Sequence, residues 1–263
     1  MLGSALTVSC FYGVANAGAA TVYDSIPDPP PGNVPSEAFE AQAASEFGDR
    51  VNLAGGDRIA TSVTVLMSSW GCESGHWYSQ DCVSSADATF LEPVTLNLYD
   101  VGTGGSVGSL IATTTHTFDI PYRPSASGSC GDGRWSDGTT CFNALAVPIT
   151  FTLSPGVTLP DSVIVSVAFN TTHYGADPYG ESTVCYASSA GCGYDALNVG
   201  LVTATTVGSD AAPLDAYVNS NWSGAYCDGS LPAGSFRLDS GCWAGLTPAV
   251  RIEATTCAID DTR

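Results

Sequence analysis

The residues best suited to chemistry in this chain are aromatic, and they lie beside cysteines. Trp70, Trp77 and Tyr78 flank or fall between Cys72 and Cys82, and Trp135 falls between Cys130 and Cys141. Tyr174 and Tyr179 precede Cys185, Trp222 precedes Cys227, and Trp243 follows Cys242. A sugar ring presents an apolar C–H face that stacks on a flat aromatic, while nearby Asp, Asn and Arg bond its hydroxyls. These residues therefore suggest a carbohydrate-binding platform of Trp77, Tyr78, Trp135, Tyr174 and Trp222. The competing expectation is that the same rings fill gaps between loops and core.

A second candidate is Asp132-Gly-Arg-Trp-Ser-Asp-Gly138. Oxygen ligands five residues apart in a glycine-rich loop suit calcium, which accepts mixed carboxylate and carbonyl ligands. Asp132 and Asp137 are thus expected as ligands of a structural calcium ion. The run lacks the alternating aspartates and terminal glutamate of an EF-hand, and the alternative is a plain disulfide-held turn.

Evidence for catalysis is thinner, and no catalytic residue is assigned. The three histidines are His76, His116 and His173, with no close pair or H-E-x-x-H among them. His116 alternates into a strand, whereas His76 and His173 lie in loops and could meet in space. A secreted, glycoside-hydrolase-like enzyme using loop carboxylates or these histidines is therefore the alternative function. A structural surface-layer protein is a third. No serine nucleophile elbow is expected.

The elements that must position these loops read as β-strands. Val94-Thr-Leu-Asn-Leu-Tyr99 and Leu110 to Phe118 alternate apolar and polar residues on either side of a glycine-rich turn, the pattern of a half-buried hairpin. Further strands are expected at Thr21–Ile26, Asp49–Leu53, Ile59–Met67, Leu145–Leu153, Ser162–Phe169, Leu197–Thr203 and Ala249–Glu253, and within 217–242. Ser36–Ser45 has weak helical propensity and is expected to be extended in this all-β context. The 29 glycines and 15 prolines are dispersed, as many turns require. The expected fold is all-β: a jelly-roll-like antiparallel β-sandwich with long disulfide-stapled loops.

Eight cysteines are near neighbours in sequence. Local pairs Cys72–Cys82, Cys130–Cys141, Cys185–Cys192 and Cys227–Cys242 are expected, with Cys257 left over for another chain or segment. Each pair closes a short loop, worth about 2–3 kcal/mol in the chain-entropy model. Zinc is disfavoured because no C-x-x-C occurs.

Composition narrows the partners. Twenty-six acidic residues face seven basic ones, giving a net charge of −19, and every basic residue is arginine. Such a surface repels phosphate backbones and anionic lipid heads, so nucleic-acid and membrane-surface roles are disfavoured. Without lysine, Schiff-base chemistry is excluded. Residues 1–19 read as a signal peptide, apolar and small, with Ala15-Asn-Ala17 or Ala17-Gly-Ala19 as cleavage sites. No spanning segment is expected. The single domain is expected over 20–257, with 258–263 as a tail.

The order Ile59-Ala-Thr-Ser-Val-Thr-Val-Leu-Met67, Val94 to Asp100, Gly108-Ser-Leu-Ile-Ala112, Phe151 to Leu159 and Val163 to Phe169 resembles exported bacterial β-sandwich domains grouped as "choice-of-anchor" domains. The resemblance covers about residues 47–170. It implies a sandwich associated with the cell surface and supplies no catalytic residues; the stapled loops are no part of its pattern. The expectation is thus a secreted, non-catalytic extracellular or cell-surface binding module, with polysaccharide or a cell-surface glycan as partner.

Overall fold

The computed structural model describes residues 18–77, 79–170, 196–228 and 233–256. In chain order the strands are β1 Ala20–Asp24, β2 Ser36–Glu37, β3 Ala44–Asn52, β4 Ile59–Ser69, β5 Thr89–Val101, β6 Val107–Pro121, β7 Trp135–Ser136 and β8 Cys141–Phe142. There follow β9 Leu145–Thr152, β10 Ser162–Ala168, β11 Leu197–Val202, β12 Ser209–Asp210, β13 Asp215–Ser220, β14 Arg237–Ser240, β15 Thr247–Pro248 and β16 Val250–Thr255. The helical elements among the described residues are two 3-10 turns, at Thr103–Gly105 and Ser223–Ala225. The all-β expectation holds.

Two antiparallel sheets face one another. In the first, β4 is central: β9 runs along one edge, and β16 then β11 along the other. β1 lies outside β16, while β2 and β15 pair with β11. The second sheet has the order β14-β13-β3-β10-β5-β6, with β12 beside β3. The reason lies in the period of two. Val94, Leu96 and Leu98 are wholly buried, as are Val63 and Met67 on β4 and Val163 on β10, so both sheets turn an aliphatic face to a shared core. The hairpin register pairs Val94 with His116, Leu96 with Thr114 and Leu98 with Ala112, which keeps their side chains on one face.

On the opposite face of the second sheet a polar knot ties three strands together. Glu46 Oε1 accepts hydrogen bonds from Asn97 Nδ2 at 2.9 Å, Tyr99 Oη at 3.0 Å and Ser166 Oγ at 2.6 Å. Charge-assisted bonds of this kind fix the lateral order of β3, β5 and β10 beyond what backbone pairing supplies.

Three expected staples are present: Cys72–Cys82, Cys130–Cys141 and Cys227–Cys242. Cys185, Cys192 and Cys257 lie outside the described residues, as do the leader and the tail. Among the described residues no helix is long and apolar enough to cross a membrane.

Asp49, like Glu92 on β5, interrupts the apolar inner face. It is 1% exposed, and its Oδ2 has no hydrogen-bond partner, although Oδ1 accepts the Arg50 N–H at 2.6 Å. Burial, reinforced by the Asp210 charge, holds its carboxyl well above 3.8. Burial likewise pushes half-buried Glu37 up to about 7, with the Asp239 charge adding to it. In the window above each unfolded-state value, the native chain keeps a proton that the unfolded chain has lost. The stability these two groups contribute is therefore fully present in acid and is lost as pH rises; for Glu37 that window runs from 4.5 to about 7. Thermal melts should show a higher Tm at about pH 5 than at about pH 8. Asp49→Asn should gain about 1–3 kcal/mol at neutral pH and flatten that dependence.

Candidate functional site

The site begins with a correction. Residues 38–43 are not extended but form a hydrogen-bonded turn, with Gln42 N–H donating to Ala38 O at 2.9 Å and Ala44 N–H to Phe39 O at 2.8 Å. The chain here leaves β2 in one sheet and enters β3 in the other, and the turn makes that crossing. Ala43, at φ 48°, reverses the direction. Phe39 is the pin: it is fully buried, its ring stacks on Phe169 at 3.9 Å and 8°, and its N–H donates to Asn198 Oδ1 at 3.2 Å. Asn198 Nδ2 in turn donates to Ser36 Oγ at 3.3 Å.

Across from this turn stand two tryptophans. Trp70 leaves the end of β4, and its N–H donates to Ala196 O just before β11 at 2.9 Å. Trp77 lies inside the Cys72–Cys82 staple, whose disulfide is buried and packs against Trp70, Trp77 and Ala196. The loop is closed by reciprocal backbone bonds between Ser74 and Val83 at 2.9 Å, and by His76 N–H donating to Asp81 Oδ1 at 3.0 Å. Gly75 makes that closure possible: its φ is 70°, and a Cβ there would fall 2.3 Å from Asp81 O. The Trp70 and Trp77 rings meet edge to face, 4.8 Å apart at 68°.

Between turn and tryptophans is an open cleft of about 260 Å³ lined by Ala38, Glu40, Ala41, Trp70, Trp77, Ala196 and Asn198. Its walls are chiefly apolar. Two aromatic faces at an angle, small alanines opposite and the buried Glu40 side chain make a slot that fits a flat, partly apolar ring. Trp77 was expected on sequence grounds. Trp70 was named among the aromatic loop residues but not in the expected platform, and Glu40 and Asn198 were not singled out, since only the crossing at Phe39 brings them together.

The remaining expected platform residues separate. Trp135 is 7% exposed, donates its indole N–H to Ala144 O at 2.8 Å and packs on Phe142 with centroids 4.9 Å apart. It fills the base of the Cys130–Cys141 loop, so its assignment to an exposed platform is corrected. Trp222 is 45% exposed but lies outside the cleft lining, on the loop after β13. Trp243 is buried, donating to Asp239 Oδ2 at 3.0 Å. Tyr78, Tyr174, Tyr179 and His173 lie outside the described residues.

The second staple leans on the first. A Cβ at Gly133 would come within 2.8 Å of Gln80 Cα. Buried Arg123 bridges the two loops, its backbone N–H donating to Gly71 O at 3.0 Å and its Nη2 to Gly133 O. Burial lowers the Arg123 guanidinium to about 10. Asp132, at φ 60°, and Asp137 sit in this second loop. Asp137 Oδ1 accepts from Thr139 N, Thr139 Oγ1 and Thr140 N at 2.7–2.8 Å, bonds that build the turn itself and hold its carboxyl below the usual range.

Other constellations are structural. Among the described residues one trio of metal-type ligands converges, Cys227, Asp239 and Cys242, but the two sulfurs are joined as a disulfide. Asp239 accepts N–H bonds from Cys227, Asp228 and the Trp243 indole. Gly104-Gly-Ser-Val-Gly108 spells G-x-S-x-G, yet it is the β5–β6 hairpin turn rather than a strand-to-helix elbow. Its Ser106 Oγ donates to Thr103 O at 3.0 Å. His116 packs between Phe118 and Phe151.

No family model, curated protein or solved structure matches this chain. Its own geometry therefore carries the functional argument. Thermal melts separate the tryptophans: Trp135→Ala should cost about 3–5 kcal/mol, the usual loss for a buried ring. Trp222→Ala should cost less than about 1 kcal/mol.

Proposed function

We propose that this protein is a secreted, non-catalytic binding module that holds a carbohydrate ring in the Trp70–Trp77 cleft. The observation that carries this reading is the edge-to-face tryptophan pair forming one wall of an apolar slot, buttressed from behind by a buried disulfide. A rigid aromatic wall loses little entropy when the apolar C–H face of a sugar ring stacks on it, so less of the contact energy is spent on ordering the site. Export is supported by the three disulfides, which persist in oxidising compartments. Association with a cell-surface glycan or polysaccharide agrees with the surface-domain resemblance and with a charge that turns anionic partners away.

Calorimetric titration with a panel of neutral oligosaccharides tests this. At least one should bind, and Trp77→Ala should weaken it by about tenfold or more, as loss of a stacking residue does. Trp222→Ala should leave it unchanged. Absence of binding across the panel, or full binding by Trp77→Ala, would refute the site; release of reducing ends would refute the non-catalytic reading.

A further inference from the structure

A second recess opens at the same end of the sandwich as the cleft, on the second sheet's side of the Phe39–Phe169 stack, where β10 ends and β3 and β5 begin. It holds about 540 Å³, and its lining includes Ser45, Leu91, Pro93, Thr95, Thr115 and Asn170. The period of two explains its character. Leu91, Pro93 and Thr95 alternate on β5 with the inward Val94 and Leu96, so they point away from the core. The register sets Thr95 against Thr115 on β6 and Ala168 on β10. Leu91 is 67% exposed, and Pro93 is exposed beside it on the same face. The Thr95 and Thr115 hydroxyls join at 2.7 Å. That bond uses one of their two protons, so the pair still offers a donor and lone pairs to a ligand. Apolar plates and hydrogen-bonding groups thus lie side by side, whereas the walls of the cleft are chiefly apolar.

Resting on the cleft reading, we infer that this recess is a second subsite for the same ligand, so that the protein holds a stretch of oligosaccharide chain rather than one ring. The two sites are close. Ala41 lines the cleft and Ser45 the recess, and a fully extended chain between them spans at most about 14 Å. The turn at 38–43 shortens that span. A sugar unit carries C–H groups on its faces and hydroxyls around its rim. The tryptophan wall takes a face, while the recess bonds hydroxyls through Thr95 and Thr115 and packs C–H groups on Leu91 and Pro93. Two contact regions on one chain also reinforce each other, because the second engages a ligand that the first already holds nearby.

Calorimetric titration of the full chain with cellobiose and cellohexaose, and with maltose and maltohexaose, tests this. In the series that binds, the hexasaccharide should bind about tenfold or more tighter than the disaccharide, the worth of one or two further hydrogen bonds. Thr95→Val combined with Thr115→Val removes both hydroxyls and keeps the β-branched shape. That variant should abolish the gain and leave the disaccharide affinity unchanged, which also reports an intact fold. Leu91→Ser, at an exposed position, should reduce the same gain. Equal affinities for short and long chains, or a gain that survives both variants, would overturn the second subsite and leave the cleft in place. Failure of all four sugars to bind would refute the cleft reading and the second subsite with it.

Discussion

The cleft end of the molecule depends on one buried ring. Phe39 stacks on Phe169 beyond the end of β10 and ties its own backbone to Asn198 on β11, so a single residue joins the two sheets where the chain crosses between them. Without that pin the turn carrying Ala38, Glu40 and Ala41 has no fixed distance from the tryptophans. An aromatic pair buried at such a junction contributes beyond its area, through its preferred geometry. The turn at 38–43 agrees with the segment's weak helical propensity and is held in place by the Phe39 contacts where the chain changes sheets.

The disulfides act on the loops in different ways. Cys72–Cys82 is itself buried and forms the backing of Trp70 and Trp77, so the staple stiffens one wall of the cleft. Cys130–Cys141 encloses a tryptophan that points inward, and its loop buttresses the first through Gly133 and Arg123. Cys227–Cys242 encloses the Asp239 knot, where three N–H donors converge on one buried carboxyl. Cross-links and buried polar knots together fix loops that apolar packing alone would leave loose.

Much of the scaffold was legible in the sequence because its signal is local. The alternation in Val94–Tyr99 and Leu110–Phe118 located the hairpin and most of its inward set, but a bulge turns Leu110 out, 51% exposed, and packs Ile111 against the core instead; the spacing of the cysteines gave three pairings that the structure contains. The site was legible only in part. Trp77 and Trp135 look alike in sequence, each enclosed by a cysteine pair, and what separates them is the Ala144 carbonyl, which accepts the indole N–H of Trp135 alone. Glu40 and Ala196 share a cleft across more than 150 residues of chain, a proximity that no local periodicity encodes. The same holds for Asp49, whose place on β3 follows strand alternation but whose burial depends on the facing sheet.

The most direct test of the binding reading is a two-dimensional spectrum of the nitrogen-labelled protein, recorded while an oligosaccharide that binds is added. The five tryptophans give five indole N–H signals, each assignable by single replacement with phenylalanine. Stacking in the cleft should move the Trp70 and Trp77 signals and leave those of Trp135, Trp222 and Trp243 in place. Movement confined to Trp222, or an unperturbed Trp77 signal at saturating ligand, would contradict the assignment of the cleft as the binding site.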